Sequence, residues 1–211
     1  ELLGALGVRP DATAGHSFGE LVALSAAGAL DEATMFALAE ARGRAVHDAA
    51  AARPDPGAMA AVSATVDECH RFLAGHRDVV VANHNGPRQV VISGPTASIT
   101  AVVDELGAAG VAAKRLPVAC AFHSPLVARA SEPFRSLLEE VRFRAKRLPV
   151  FANTTARKYP DSSHDARDLL AEQLARPVEF VRQVENMALA GVRTFLEVGP
   201  GSVLTRLADA T

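Results

Sequence analysis

Apolar residues recur along the chain with two different spacings, and the change between them divides the sequence. Between residues 57 and 118, short apolar runs of strand length alternate with two helix-length segments in the order βαββαβ, which is typical of a ferredoxin-like unit. Before and after this region, helical patterns flank short, fully apolar runs. The pattern therefore predicts an α/β parent domain of residues 1–56 and 119–211, into which a ferredoxin-like subdomain of residues 57–118 is inserted.

Capping residues and apolar runs set the limits of several elements outside the subdomain. Asp31 precedes an acidic residue and an alanine-rich run, so we expect it to be the N-cap of a long helix. Ser124 and Pro125 predict another helix start, as a cap residue followed by a first-turn proline. Towards the C-terminus we expect a helix over residues 178–190 and a strand over residues 193–199.

The helix that begins after Asp31 carries an arginine on its apolar face. At helical spacing the face consists of Met35, Leu38, Ala39, Arg42, Ala45, Val46 and Ala49. Arg44, by contrast, lies four residues from both Glu40 and Asp48, the usual arrangement of a solvated ion pair. A guanidinium in an apolar face is costly unless an anion meets it, and its planar fork fits a carboxylate. Arg42 therefore indicates either an internal acidic partner or a substrate with a free carboxylate.

Composition and charge argue against several classes of protein. The 211 residues carry a formal net charge of -2, with no tryptophan and a single tyrosine, Tyr159, so no nucleic-acid partner is expected. No apolar run is long enough to span a bilayer, and the first residues lack the features of a signal peptide, so we expect a cytoplasmic protein with no membrane partner. Cys69 and Cys120 have no C-x-x-C neighbour, which argues against a metal site and a disulfide.

One serine has a glycine two positions away on either side. In AGHSFGE, Gly15, Ser17 and Gly19 have the spacing of a nucleophile elbow, a sharp strand-to-helix turn that exposes the serine hydroxyl. Small neighbours suit this turn because its backbone is strained and the helix packs close behind it. Since G-x-S-x-G also arises by chance, the interpretation depends on finding a base.

Of the seven histidines, His123 has the setting that best suits a general base. It follows the apolar loop VACAF and precedes the helix start predicted at Ser124, where the helix dipole favours a neutral imidazole. A structural cap is its alternative role. His16 is a second candidate base, although a residue next to the nucleophile of an elbow usually points away from it. The others are expected to be solvated: His47, His70, His76, His84 and His164.

Several motifs, taken in order, resemble those of one enzyme family. GHSFGE, EARGRAV, NGPRQVVISGP, CAFHS, FANTT and FLEVGPG together resemble the acyltransferase domain of type I polyketide synthases, modular or iterative, and the related malonyl-CoA:acyl-carrier-protein transacylase. The resemblance runs from about Leu2 to Leu207 and implies an α/β-hydrolase-like parent domain. It also implies a ping-pong reaction that carries a malonyl group from malonyl-CoA, through an acyl-serine, to the phosphopantetheine thiol of an acyl carrier protein. No cofactor or metal is implied, and neighbouring synthase domains are implied partners.

The same resemblance implies roles for individual residues. Ser17 is the nucleophile, His123 the base, and Arg42 the residue that binds the malonyl carboxylate. The backbone carbonyl of Gln173 orients the imidazole in place of a triad carboxylate. The backbone N–H of Phe18 is one oxyanion-hole donor.

Two further residues are implied to contact the substrate. Phe122, in CAFH, matches the malonyl-selecting version of the family, in which the ring fills the space of an α-methyl group. One such apolar contact discriminates by about 1–3 kcal/mol. His16 is the other. Asn85 and Asn153 also fall on family motif positions, although hydrogen bonds at a turn and a strand end are their plainer interpretation.

One motif of the family has no match here. A glutamine-containing motif upstream of the elbow supplies the family's second oxyanion donor and its first strand, and nothing before Gly15 resembles it. The chain also begins with Glu1 rather than methionine. We therefore expect that the N-terminal part of the family fold is missing from this sequence and precedes it in a longer chain.

Two other functions stay open on the sequence. A serine hydrolase such as a thioesterase uses the same elbow, although it has little use for Arg42, and the chain lacks the H-G-G-G loop of lipases. A catalytically silent docking module of a synthase is the second. One basic cluster is expected to be either a solvated face or a docking surface for an acidic carrier protein: Arg142, Arg144, Lys146 and Arg147.

Overall fold

The computed structural model describes residues 2–211, which form two β-sheets with helices packed around them. The helices are α1 (Leu2–Ala5), α2 (Gly19–Ala26), α3 (Glu32–Ala51), α4 (Val66–Leu73), α5 (Thr96–Ala108), α6 (Ser131–Glu140), α7 (Ser163–Glu172), α8 (Phe180–Leu189) and α9 (Val203–Asp209), with a 3₁₀ helix at Pro125–Ala130. The strands are β1 (Thr13–Ala14), β2 (Ala58–Val62), β3 (Val80–Gly86), β4 (Gln89–Gly94), β5 (Ala113–Arg115), β6 (Val150–Phe151) and β7 (Val178–Glu179). None of the helices in residues 2–211 is long and apolar enough to cross a membrane.

The larger sheet has the strand order β5-β2-β4-β3-β7. Its first four strands pair antiparallel and follow the chain order βαββαβ, which confirms the predicted ferredoxin-like unit. One face of this sheet packs against α4 and α5, where Val62, Val90 and Ile92 meet Ile99 and Val102, each at most 1% exposed. Alternating side chains of the strands thus bury one face under the two helices.

The smaller sheet consists of β1 and β6, which pair in parallel with Thr13 opposite Val150 and Ala14 opposite Phe151. The helices α2, α3, α6 and α7 supply the buried core beside it. Because the carboxyl ends of parallel strands meet at one edge, the residues that follow β1 and β6 lie side by side. The mixed α/β class is therefore confirmed, and this edge brings Ser17 and Asn153 together.

The seventh strand differs from the sequence prediction. Val178 and Glu179, expected to open a helix over residues 178–190, form β7 and pair in parallel with Asn83 and His84 of β3. The helix begins at Phe180. The prediction is wrong at these two residues because pairing with a distant strand decides their conformation. Because β7 lies outside residues 57–118 but pairs with β3 inside them, the sheet does not end at the predicted domain limits. The limits at residues 57 and 118 therefore stay a prediction.

The strand expected over residues 193–199 does not form. Within residues 2–211 no strand lies beside this segment, so its backbone has no partner for a ladder. Its apolar side chains are accordingly exposed: Phe195 by 41%, Leu196 by 59% and Val198 by 74%. The prediction of a strand is wrong because, among residues 2–211, no strand pairs with this segment.

The two predicted helix caps are present. Asp31 accepts a hydrogen bond from the Thr34 N–H at 2.9 Å, and α3 follows directly. Ser124 accepts from the Leu126 N–H at 3.3 Å, with Pro125 at the first position, but the turn it caps is 3₁₀ rather than α. The chain thus enters α6 through a tight turn that immediately follows His123.

Candidate active site

Ser17 lies in a strained turn between β1 and α2. Its φ is 50°, a left-handed value that costs a residue other than glycine on the order of 1–3 kcal/mol. Gly15 has no room for a side chain, because a Cβ there would collide with the main chain of Gly19. A Cβ at Gly19 itself would meet no atom within 4 Å. The first glycine of the motif is therefore required by packing, whereas packing does not require the second.

The Ser17 hydroxyl faces the imidazole of His123. Ser17 Oγ lies 2.8 Å from His123 Nε2. On the other side of the ring, Nδ1 lies 3.0 Å from the backbone oxygens of both Gln173 and Arg176. Because carbonyl oxygens only accept, Nδ1 carries the proton and Nε2 is free to accept the serine proton. This is the tautomer that a general base needs.

His123 is held in its neutral form. Burial, followed by the positive charge of Arg42, lowers the pKa of the imidazole to about 4, against the opposing effect of the Gln173 carbonyl. The dipole of the following helix was the cause of neutrality predicted from the sequence, whereas here burial is the largest cause. His123 is 3% exposed, and its own φ of 54° is also left-handed.

Arg42 reaches Ser17 from the apolar face of α3. It is 8% exposed, and its Nη2 donates to Ser17 Oγ and to Gln173 Oε1, both at 3.3 Å. Within residues 2–211 its guanidinium forms no ion pair: Glu20 acts on its pKa only through space, opposing the lowering by burial. The internal ion pair that the sequence left open is thus absent from the described residues, and the guanidinium is directed at the serine.

Gln173 contacts each of the other three residues. Its Nε2 donates to the backbone oxygen of Ser17 at 2.8 Å, its Oε1 accepts from Arg42, and its own backbone oxygen accepts from His123. The side chain is 1% exposed. A single buried residue therefore ties the elbow, the imidazole and the guanidinium together, a wider set of contacts than the backbone carbonyl expected from the sequence.

His16 connects the elbow to the larger sheet. Its Nε2 lies 2.7 Å from Asn85 Oδ1 on β3, and its ring packs against Phe180 at 5.5 Å between centroids. Burial lowers the pKa of His16. Because His16 Nε2 meets Asn85 and Ser17 Oγ meets His123, the second candidate base is not hydrogen-bonded to the Ser17 hydroxyl.

Two phenylalanines lie next to Ser17 and His123 in the chain. Phe122 precedes His123 and packs against the core clusters of both the small and the large sheet. Phe18 follows Ser17 and is 47% exposed. The Phe18 backbone N–H meets no acceptor within residues 2–211, so it is free to donate to an oxyanion.

The remaining candidate groups have other partners. In the expected basic cluster, Arg144 pairs with Asp31 at 2.9 Å and its side chain is 55% exposed, whereas Lys146 pairs with Asp161 at 3.3 Å and its side chain is only 11% exposed. Cys69 and Cys120 are buried free thiols, and burial raises the pKa of each to about 11. In the described part of the chain, no group of His, Cys, Asp and Glu side chains has the arrangement of a metal site.

Comparison with known proteins assigns the chain to a family. The sequence profile of the acyl transferase domain matches residues 1–211. The chain belongs to the acyl transferase domain family. It is 36% identical to a polyunsaturated fatty acid synthase protein of Thraustochytrium sp., covering 100% of this chain and 7% of that protein. It is 35% identical to the malonyl CoA-acyl carrier protein transacylase of Synechocystis sp., covering 100% of this chain and 70% of that one.

A solved acyl transferase domain has the same fold. The acyltransferase domain from the second module of the salinomycin polyketide synthase superposes with a TM-score of 0.88 at 38% identity, covering 99% of this chain and 48% of that one. This acyl transferase chain thus spans about half of that structure and a small part of the fatty acid synthase protein.

The structure of this acyl transferase domain brings Ser17, His123, Arg42 and Gln173 together, and it adds two residues to which the sequence analysis gave no role. Arg176 contributes a carbonyl to His123, and Glu20 lies buried below the elbow. A signal for Glu20 was available: like Arg42, it is a charged residue within an otherwise apolar helical segment.

Proposed function

We propose that this domain transfers a malonyl group from malonyl-CoA to the phosphopantetheine thiol of an acyl carrier protein, as a step in polyketide biosynthesis. The observation that carries the proposal is the Arg42 guanidinium, which lies 3.3 Å from Ser17 Oγ without an acidic partner in residues 2–211. A buried cation beside the nucleophile is costly unless the substrate supplies an anion, and a malonyl carboxylate does so. The names of the transacylase and polyketide synthase relatives support this substrate and this acceptor.

In the proposed first half-reaction, Ser17 Oγ bonds to the thioester carbonyl carbon as its proton passes to His123 Nε2. The carbonyls of Gln173 and Arg176 hold the imidazole while it is protonated, and the Phe18 N–H donates to the oxyanion. The C–S bond then breaks, and the proton from His123 passes to the CoA sulfur. The acyl-serine and free CoA result.

In the second half-reaction the carrier takes the place of CoA. The phosphopantetheine thiol gives its proton to His123 and its sulfur bonds to the acyl carbon. The ester C–O bond then breaks, and Ser17 recovers the proton. Arg42 holds the malonyl carboxylate throughout, which fixes the acyl group in one pose and favours transfer to a thiol over hydrolysis.

Two residues are proposed to shape the acyl pocket. Phe122, between the two sheets and next to His123, fills the space of an α-methyl group. His16, fixed by Asn85 and Phe180, forms the wall beside Ser17. The preference for malonyl over methylmalonyl that follows from one apolar contact is partial, about 1–3 kcal/mol.

The proposed reaction needs no metal or cofactor, because Ser17 and His123 supply the nucleophile and the base and phosphopantetheine belongs to the carrier. The expected partners are an acyl carrier protein and neighbouring domains of a synthase. We propose a cytoplasmic site of action, which the reduced thiols of Cys69 and Cys120 support.

Intact-protein mass spectrometry after separate incubation with malonyl-CoA, methylmalonyl-CoA and acetyl-CoA tests the proposal. We expect the intact protein to gain the mass of one malonyl group, with lower occupancy by the other two acyl groups. Adding a phosphopantetheinylated carrier protein should then move the malonyl group to the carrier. A folded protein that gains no adduct and releases no CoA would be a silent module, and one that releases CoA without an adduct would be a hydrolase.

Replacing Arg42 with alanine is expected to lower kcat/KM for malonyl loading by about 10- to 100-fold, since a charge-assisted hydrogen bond to the substrate carboxylate is lost. Acetyl loading should be unchanged or faster because acetyl has no carboxylate. Arg44→Ala is the matched control, because Arg44 lies on the exposed side of the same helix and pairs with Glu40. Equal losses for malonyl and acetyl would make Arg42 a structural residue.

A further inference from the structure

A buried polar cluster lies directly beneath the nucleophile and has no part in the reaction described above. It consists of Glu20 on the first turn of α2, Asn153 at the end of β6, and Tyr159, which are 0%, 0% and 3% exposed. A carboxylate buried to this extent is unfavourable unless donors surround it. The contacts of the cluster show where those donors come from and what they hold in place.

The side chain of Asn153 bridges the two sides of the strained turn. Its Oδ1 accepts a hydrogen bond from the Ser17 backbone N–H at 2.6 Å. Its Nδ2 donates to the backbone oxygen of Gly15 on the opposite side of the turn. Gln173 Nε2 also reaches Asn153 Oδ1, at 3.3 Å. The amide of Asn153 therefore holds the backbone on both sides of His16, at Gly15 and at Ser17.

The backbone of Asn153 is held as firmly as its side chain. Its N–H donates to Glu20 Oε2 at 3.3 Å, and its carbonyl accepts from the Glu179 N–H at 2.9 Å. The hydroxyl of Tyr159 donates to the other carboxylate oxygen of Glu20. The Asn153 backbone is thus hydrogen-bonded to both α2 and β7. The Glu20 carboxylate on α2 is in turn held by two donors, the Asn153 N–H and the Tyr159 hydroxyl.

The hydrogen bonds from Asn153 hold Ser17 in its strained conformation. A serine at φ 50° relaxes towards negative φ unless its surroundings over-determine it, and that rotation swings Oγ away from His123. We propose that Asn153 is a positioning residue that holds Ser17 Oγ within hydrogen-bonding distance of His123 Nε2, and that Glu20 and Tyr159 hold Asn153. The inference rests on the proposed function only for Ser17 as the nucleophile, and it is independent of which acyl group Ser17 accepts.

The test uses an alkyl fluorophosphonate, which needs neither a carboxylate nor a carrier protein. Ser17 Oγ bonds to phosphorus, fluoride leaves, and the serine proton passes to His123, so the labelling rate reports the geometry of the pair. For Asn153→Ala we expect labelling to slow by about 10- to 100-fold, since small displacements of a nucleophile have effects of that order. The rate is measured by intact mass, per folded molecule as judged by circular dichroism.

Asn186→Ala is the matched control. Asn186 Nδ2 donates to the backbone oxygen of Ala156 at 2.8 Å, so it also braces the segment between β6 and α7, but it has no contact with the elbow. Its labelling rate should stay within about twofold of the wild type. With malonyl-CoA, Asn153→Ala should lower kcat while KM changes little, because Arg42 is untouched; a merely structural role would reduce only the folded fraction.

Tyr159→Phe covers the case in which Asn153→Ala does not fold. It keeps the ring in the core and removes only the hydroxyl that donates to Glu20. We expect a three- to tenfold slower labelling, roughly the effect of one hydrogen bond. Wild-type labelling by folded Asn153→Ala, or by Tyr159→Phe if the alanine variant is unfolded, overturns the inference. A wild type that reacts with the fluorophosphonate but never loads malonyl overturns the proposed function instead.

Discussion

Replacing Ser17 with alanine is expected to abolish covalent loading completely. Alanine has no oxygen to form the ester, and within residues 2–211 the base contacts no other hydroxyl: His123 Nε2 meets Ser17 Oγ at 2.8 Å, and Nδ1 meets two carbonyls. Intact mass after incubation with malonyl-CoA should show no adduct. Ser25→Ala, on the helix α2 that follows Ser17, is the control and should load normally. An adduct that persists in Ser17→Ala would place the nucleophile elsewhere.

A glycine at the same position separates strain from chemistry. Glycine adopts the φ of 50° without the penalty that a Cβ causes. Ser17→Gly is therefore expected to be as inactive as Ser17→Ala but more stable, by about 1 kcal/mol in free energy of unfolding. Chemical denaturation of the two variants makes the comparison. Equal stabilities would show that any strain at Ser17 does not exceed the extra backbone entropy that glycine loses on folding, about 0.5–1 kcal/mol.

Replacing His123 with alanine is expected to slow acylation of Ser17 by about 10²–10⁴-fold, the usual contribution of a general base. The serine proton then has no acceptor, while Arg42 still binds the carboxylate, so the loss should appear in kcat more than in KM. The rate of adduct formation with malonyl-CoA measures the effect. His76→Ala is the control, since His76 pairs with Glu105 away from the elbow. A loss no larger than in that control would remove His123 from the chemistry.

The pH dependence of labelling by the fluorophosphonate reports the protonation of His123. The imidazole has a pKa of about 4 and accepts a proton only when neutral, so the rate should fall as the pH drops through about 4 and be level well above it. The charged or titratable neighbours are Arg42 and His16. A base with an ordinary pKa would instead lose activity below about 6.5. A step near pH 7 that disappears in Glu20→Gln would belong to Glu20, whose pKa burial raises to about 7.

The order of helices and strands follows from the sequence wherever local pattern suffices. The βαββαβ order, the N-cap at Asp31 and the buried face of α3 were all predicted from spacing, and all are present. The same reasoning found Arg42, because helical spacing alone places this charged residue in an apolar face, where burial is costly without an anion. A helical face is set by residues three and four positions apart, so a single sequence contains it.

Elements that depend on a distant partner were predicted less well. Val178 and Glu179 form a strand because β3 offers an edge, and residues 193–199 do not form one because no edge lies beside them within residues 2–211. A segment predicted to be helical thus forms a strand, whereas one predicted to be a strand does not. Strand formation requires hydrogen bonds to another segment, and the sequence of the run does not say whether that segment is present.

By itself, the sequence determined the family, the order of most helices and strands, and the residues most able to carry chemistry. Only the tertiary structure decided how those residues are held: Asn153, which clamps the elbow, lies 136 residues from Ser17, and the Gln173 side chain reaches the Ser17 carbonyl across 156. It also decided that burial, more than a helix dipole, keeps His123 neutral. Periodicity records contacts between near neighbours, whereas hydrogen bonds across such separations and the loss of solvent around a side chain exist only once the chain has folded.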